Sequence, residues 1–343
     1  MNPVRIAVLG MHHGYKFASH IMTMPGIELA AVAGNDDLSV KRAQELGVAI
    51  FQDYRELVGT CPLEGVIIAL PNHLHKPAVE LCASKGLHIL LEKPIATTIE
   101  EGQAIIDACA KYGVKLLVGH HRRFSSKLVK LREIIATGKL GELVGATMLW
   151  ATAKNREYFE AEWRLRKETG GPLLNNAVHD IDDFRFVTGQ QVRQVYAVAC
   201  NNLRKHPVED AAVFVMKTKE GAVVNYFISD GVPAPWSYEL TVHENKDYFP
   251  CLNENCYYFF GTKGSIAFPT LKIYSYEDGK WGWFEKLHQE NIISVENDPL
   301  SEEVRHFIGV VAGKAEPLIT GQDALETLKI LNAIRESAEK DKV

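Results

Sequence analysis

The sequence predicts two joined parts: an α/β half on a doubly wound parallel sheet, then an α+β half with a large, mainly antiparallel sheet. Three observations carry this. The first 120 residues alternate short apolar runs with helical patterns, as βαβ units do. Past Gly119 the strand-like runs follow one another with few helices between, the habit of antiparallel sheets. The length of 343 residues, at about 150 per domain, suits two domains. The change of pattern places the boundary near 119–124, giving one domain over 1–120 and a second over 121–343.

In the first half, strands are expected at 5–9, 27–33, 65–70, 88–91 and 115–118. Helices are expected up to Met24-Pro25-Gly26 and over 38–46, 77–85 and 99–112. Right-handed crossovers then wind the sheet both ways. In the second half a helix over 125–137 leads to strands at 146–152, 192–199, 211–218, 223–228, 238–242, 257–260, 265–268 and 272–276. One helix starts near Asn176 and stops at Thr188-Gly189; two more cover 299–312 and 322–339.

A net charge of -5 gives no electrostatic case for nucleic acid. No apolar run approaches a membrane span, and the opening residues carry no signal-peptide pattern. The six cysteines are scattered without a CxxC pair, and the histidines lack zinc-site spacing, so reduced thiols, a cytoplasmic location and no metal are expected.

Glu92-Lys93-Pro94 ends the apolar run His88-Ile89-Leu90-Leu91. It puts a lysine at the carboxyl end of a buried parallel strand, where open α/β sheets bind ligands. Pro94 restricts the lysine to extended backbone. After the first strand the turn reads Gly10-Met11-His12-His13-Gly14, an incomplete dinucleotide fingerprint whose backbone N–H groups suit a pyrophosphate, with His12 or His13 as further contacts. The second strand ends at Gly34-Asn35, followed by Asp36-Asp37. Two readings stand there. Asp36 reaches a ribose and favours NAD, with Lys41 or Arg42 opening the way to NADP if the site is Gly34-Asn35; or Asp36 or Asp37 caps the next helix. Pro71-Asn72-His73-Leu74-His75 follows another strand end, where Asn72 suits a nicotinamide ribose or a helix-opening turn.

In the second half, Gly170-Gly171 opens a segment in which Asn175 and His179 stand i,i+4 on one helical face, with Asp182 and Asp183 a turn further on. A carboxylate there can orient an imidazole. The stretch 150–166 is rich in aromatic and basic residues suited to a sugar, among them Tyr158, Trp163 and Arg164. Arg122 and Arg123 are further candidates for substrate contact. The second sheet has one face without helices to cover it, which predicts a homodimer or homotetramer.

The glycine turn, Pro71-Asn72-x-x-His75, Glu92-Lys93-Pro94, Arg122-Arg123-Phe124 and the Gly-Gly…His179 helix occur in that order. On these motifs the chain resembles the glucose–fructose oxidoreductase, inositol dehydrogenase and rhizopine-catabolism (Gfo/Idh/MocA) family over nearly its whole length. The resemblance implies NAD or NADP and a sugar, cyclitol or related polyol, oxidised at a secondary hydroxyl or reduced at the matching ketone. It implies Lys93 and His179 as the catalytic pair. Cofactor contacts are expected from Gly10, His12, His13, Asn35, Asp36, Pro71, Asn72, His75, Glu92 and Lys93. Substrate contacts are expected from Arg122, Tyr158, Trp163, Asn175 and His179. The family's aspartate four residues before the histidine is Asn175 here, which bonds a hydroxyl but is no base. His179 then takes the hydroxyl proton as hydride leaves, and Lys93 stabilises the charge developing on oxygen, at a cleft between the domains. An NAD-dependent glycoside hydrolase and a non-catalytic nucleotide-binding regulator are the competing readings.

Overall fold

A computed structural model describes residues 3–167 and 169–340. The chain divides into two compact units. The first takes Met1–His121 and Pro299–Lys329, the second Arg122–Asp298 and Ile330–Val343.

The first unit is built on β1 (Val4–Leu9), β2 (Ile27–Ala33), β3 (Ile50–Phe51), β4 (Gly65–Ile68), β5 (His88–Glu92) and β6 (Leu116–Gly119). These form one parallel sheet in the order β3-β2-β1-β4-β5-β6. Between them run α1 (Gly14–Thr23), α2 (Asp37–Leu46), α3 (Tyr54–Thr60), α4 (His75–Ser84) and α5 (Ile99–Tyr112). Local chemistry starts and stops these helices. The side chains of Asp36, Asp53 and Thr98 accept from backbone N–H groups at the starts of α2, α3 and α5, and Gly47 and Gly113 end α2 and α5 in left-handed backbone. The central strands are fully buried runs of Ile, Val, Leu and Ala, as a sheet covered on both faces requires. Strand order reverses beside β1, so β1 and β4 flank the switch point whose carboxyl edge binds ligands in this architecture.

The second unit begins with α6 (Ser126–Ala136) and β7 (Leu143–Ala151), then α7 (Val178–Thr188), β8 (Val192–Cys200), β9 (Ala211–Thr218), β10 (Val223–Ser229) and α8 (Tyr238–Val242). β11 (Tyr257–Gly261), β12 (Gly264–Phe268), β13 (Lys272–Ser275) and β14 (His288–Asn291) complete an eight-stranded sheet, ordered β14-β13-β12-β11-β7-β10-β9-β8. All its neighbours are antiparallel except β7 and β10, which run parallel. α9 (Pro299–Val311) lies in the first unit, and α10 (Gly321–Lys340) gives its first part to one unit and its last part to the other.

Two expectations are corrected. The stretch expected as a strand over 238–242 is the helix α8: the Ser237 hydroxyl accepts from Leu240 N–H, and Thr241 donates back to the Ser237 carbonyl. A second domain running unbroken over 121–343 gives way because 299–329 rejoin the first unit. Phe307 is fully buried there, it packs with Val311 against the backbone at Gly65, and Val118 N–H donates to the Ile319 carbonyl at 3.0 Å. Phe307→Ala should therefore lower unfolding free energy by about 3–5 kcal/mol, measured by urea denaturation.

Candidate active site

The carboxyl edge of the first sheet gathers most of the motif residues. Gly10 leaves β1 with φ +93°, and a Cβ there would lie 2.4 Å from the Ala69 carbonyl oxygen, so only glycine fits the turn. Gly14 opens α1 where a Cβ would meet Val8 Cγ1 at 2.7 Å, which lets the helix sit close on its strand. The turn between them is braced from α2: Arg42 Nη1 donates to the carbonyls of Met11 and His12, both at 2.7 Å, and its guanidinium stacks over Tyr15. Two of the three duties of a dinucleotide glycine motif are thus met by two glycines, and the backbone beyond β1 fits a pyrophosphate.

Asp36 caps α2, its Oδ1 accepting from Ser39 N–H at 2.7 Å, while its Oδ2 lies 2.6 Å from His12 Nε2. The bond to His12, then the backbone bond, hold its carboxyl down at about 2. Asp36 is therefore an anion at the end of β2 and remains part-exposed, with Asn35 exposed beside it. Pro71 precedes a single 3-10 turn over Asn72–Leu74, leaving Asn72 half-buried.

Glu92 ends β5 almost fully buried. Burial pushes its carboxyl up, but His13, Lys93 and His121 outweigh this and hold it down at about 2. His13 Nε2 lies 3.3 Å from Glu92 Oε1, and Lys93 N–H donates to Oε2 at 3.0 Å. The Lys93–Pro94 peptide is cis, and Lys93 itself is half-buried. His75 corrects an expectation. It is fully buried, with Nδ1 3.1 Å from the Pro94 carbonyl and Nε2 3.0 Å from the Leu70 carbonyl. Burial pushes its imidazolium down, against the carbonyl contacts, which push the other way. Its place is to fasten the ends of β4 and β5 together, not to touch a ligand.

In the second unit, a single π turn over Leu173–Ala177 carries Asn175 and leads into α7, whose second residue is His179, buried. π turns recur at functional sites. The acidic residues after His179 are committed to the two arginines. Arg123 binds Asp182 through Nε and Nη2, both at 2.7 Å. Arg122 Nη1 lies 2.9 Å from Asp180 Oδ1 and 3.0 Å from Asp183 Oδ2, its Nη2 donates to Glu239 at 2.7 Å, and its guanidinium stacks over Tyr238. Tyr257 Oη meets Asp180 Oδ1 and also Asp183 Oδ2, the latter at 2.9 Å; Tyr226 donates to Asp180 Oδ2. Burial raises Asp183 most; Arg122 opposes this, Asp180 and Asp182 add to it, and the carboxyl is pushed up to about 8. Arg122, expected at the substrate, is only 3 % exposed, with its guanidinium spent on these carboxylates. It anchors α7 instead.

Lys154, which no sequence motif marks, is a part-buried lysine that donates to Asn176 Oδ1 at 2.8 Å and stacks over Tyr158 and Trp150. Burial pushes it down to about 8. Tyr158 also stacks under Arg164, which reaches Trp163, itself half exposed. A lone lysine in Ala153-Lys154-Asn155 offers no motif to find it by. Among the described residues no three His, Cys, Asp or Glu side chains gather as a metal site, and no helix is long and apolar enough to cross a membrane.

Comparison with known proteins agrees with this architecture. Residues 4–120 match the oxidoreductase family with the NAD-binding Rossmann fold, and residues 128–267 match the GFO/IDH/MocA C-terminal domain. The chain is 26 % identical to the uncharacterized oxidoreductase YrbE of Bacillus subtilis, over 84 % of this chain and 80 % of that protein. It is 24 % identical to the myo-inositol 2-dehydrogenase of Thermotoga maritima, over 98 % and 97 %. The scyllo-inositol dehydrogenase of Lactobacillus casei, solved with NAD(H) and scyllo-inositol, superposes with a TM-score of 0.78 at 20 % identity, over 99 % and 98 %. The chain belongs to the Gfo/Idh/MocA family of NAD-binding oxidoreductases.

Proposed function

We propose that this oxidoreductase moves a hydride between a nicotinamide and a secondary hydroxyl or matching ketone of a sugar, cyclitol or related polyol. The observation that carries the reading is the carboxyl edge of the first sheet, where the Gly10 turn, anionic Asp36, Asn72 and the Glu92-Lys93 strand end lie together. The relatives acting on inositol support the substrate class. The turn after β1 and Asp36 fit a dinucleotide: the first for its pyrophosphate, the second for its adenosine ribose. The nicotinamide supplies the hydride acceptor or donor. His179 takes the hydroxyl proton in oxidation and returns it in reduction, since imidazole titrates near neutrality. Lys93 donates to the reacting oxygen and stabilises its negative charge, while Glu92 fixes the backbone of Lys93. Asn175, Tyr158 and Trp163 supply hydroxyl contacts and stacking surfaces, and Lys154 joins them through Asn176.

Along β8, β9 and β10 the outward residues Tyr196, Val198, Val213, Val215 and Val223 are exposed on one face, alternating with buried neighbours. This apolar face supports self-association as a homodimer or homotetramer.

Lys93→Ala and His179→Ala should each cost about 10²–10⁴-fold in kcat on a polyol that the wild type turns over, with nucleotide binding by calorimetry retained. Near-normal kcat in both would overturn the pair. An anion at the end of β2 repels a 2′-phosphate, so NAD should be preferred. Asp36→Ala should shift the NAD-over-NADP ratio of kcat/KM toward NADP by about tenfold. Val198→Asp combined with Val213→Asp should reduce the sedimentation mass toward a monomer.

A further inference from the structure

The contacts inside the second unit leave one hydrogen unaccounted for. Tyr257 has a single hydroxyl hydrogen, yet its Oη lies at hydrogen-bond distance from two carboxylate oxygens, Asp180 Oδ1 and Asp183 Oδ2. Whichever oxygen takes that hydrogen, the other contact needs a second one. Tyr226 cannot supply it, because its hydroxyl is spent on Asp180 Oδ2. Arg122 Nη1 donates toward the same pair of oxygens and, at 3.3 Å, toward Tyr257 Oη itself, which adds no hydrogen between Tyr257 and either carboxylate. The charges agree: one guanidinium faces two buried carboxyls, Asp180 and Asp183, and the part-exposed Glu239, and an uncompensated charge on the buried pair is costly. The two aspartates are also unequal. Asp180 accepts on both oxygens, whereas Asp183 Oδ1 is buried without a partner, which suits a neutral acid better than an anion.

We propose that Asp183 is a neutral carboxylic acid in the folded protein, donating from Oδ2 to Tyr257 Oη, which donates in turn to ionised Asp180, and that this relay makes Asp183 a positioning residue for His179. The functional half rests on the reading of His179 as catalytic. Asp183 is faced by Asp180 and Asp182 from α7, Arg122 from the turn before α6, Tyr238 from α8, and Cys256 and Tyr257 at the start of β11. Of these, only Arg122 favours the anion. Burial and the neighbouring aspartates favour the acid up to about pH 8.

Linkage gives the sign. The folded carboxyl titrates near 8 against an ordinary 3.8, so its contribution is full at low pH, declines as the unfolded chain ionises, and levels off above about 8. The amide introduced by Asp183→Asn mimics the neutral acid and does not titrate. The test is thermal unfolding of wild type, Asp183→Asn and Asp183→Ala from about pH 5 to about pH 9, with infrared spectra of wild type and Asp183→Asn at neutral pH. The Tm of Asp183→Asn should rise relative to wild type as pH increases toward 8 and then hold level, with Asp183→Ala less stable than Asp183→Asn throughout. Wild type should show a carboxylic-acid carbonyl band that Asp183→Asn removes. In turnover, Asp183→Ala should lose about 10–100-fold in kcat with nucleotide KM unchanged, and Asp183→Asn should recover much of it. If Asp183→Asn is destabilised most near neutral pH and the band is missing, Asp183 is an ionised partner of Arg122 and the proposal fails. If melting and infrared behave as expected but His179→Ala leaves turnover intact, the catalytic reading fails and the neutral acid stands.

Discussion

Burying the guanidinium of Arg122 is the constraint around which the second unit is arranged. A charge removed from water must be met by charges and hydrogen bonds of good geometry, or it costs several kcal/mol. Here the compensation comes from Asp180 and Asp183 on α7 and Glu239 on α8, and Tyr226 on β10 and Tyr257 on β11 complete it. Trp150 on β7 donates to the second oxygen of Glu239 at 2.7 Å. One side chain thereby ties α7 to β10, β11 and α8, and through Glu239 to β7, the strand between those two. With Arg123 gripping Asp182 from the adjacent position, an acidic run that would otherwise seek solvent is held buried. His179 stands on the helix that this grip holds.

The first unit treats its buried carboxylates in two opposite ways. Glu92 stays ionised because His13 and the Lys93 backbone meet it. Glu303 on α9 is wholly buried, neither oxygen has a hydrogen-bond partner, and burial with Glu92 nearby pushes its carboxyl well above the ordinary range. The same side-chain chemistry is pushed in opposite directions, decided by whether a cation or another acid faces it.

What is legible in the sequence follows from how local the physics is. The parallel sheet is readable because fully buried strands write uninterrupted apolar runs, and Glu92-Lys93-Pro94 because a strand end, a charge and a proline are contiguous. Asp36 stands between capping and ribose binding on sequence alone; the structure shows the cap, and the exposed carboxylate leaves room for both. Burial is not local, so His75 and Arg122 read as ligand contacts although each is spent inside its unit. A short apolar stretch such as 238–242 fits strand or helix equally, and only the Ser237 cap decides it. β14 is hidden because all four of its residues are exposed at a sheet edge and carry no apolar alternation. Lys154 is hidden because Asn176, which it bonds, is distant in sequence, and its stacking on Tyr158 follows no recognisable spacing.

The return of 299–329 to the first unit has a consequence for how the chain is made. A ribosome releases the whole parallel sheet early, by residue 119, but the helix bearing Phe307 and the backbone partner of Val118 emerge only after the entire eight-stranded sheet has been synthesised. At about 5–20 residues per second the first unit waits many seconds with that surface uncovered. Each unit therefore waits for a late segment: the first for 299–329, and the second for the last part of α10, which is made after that.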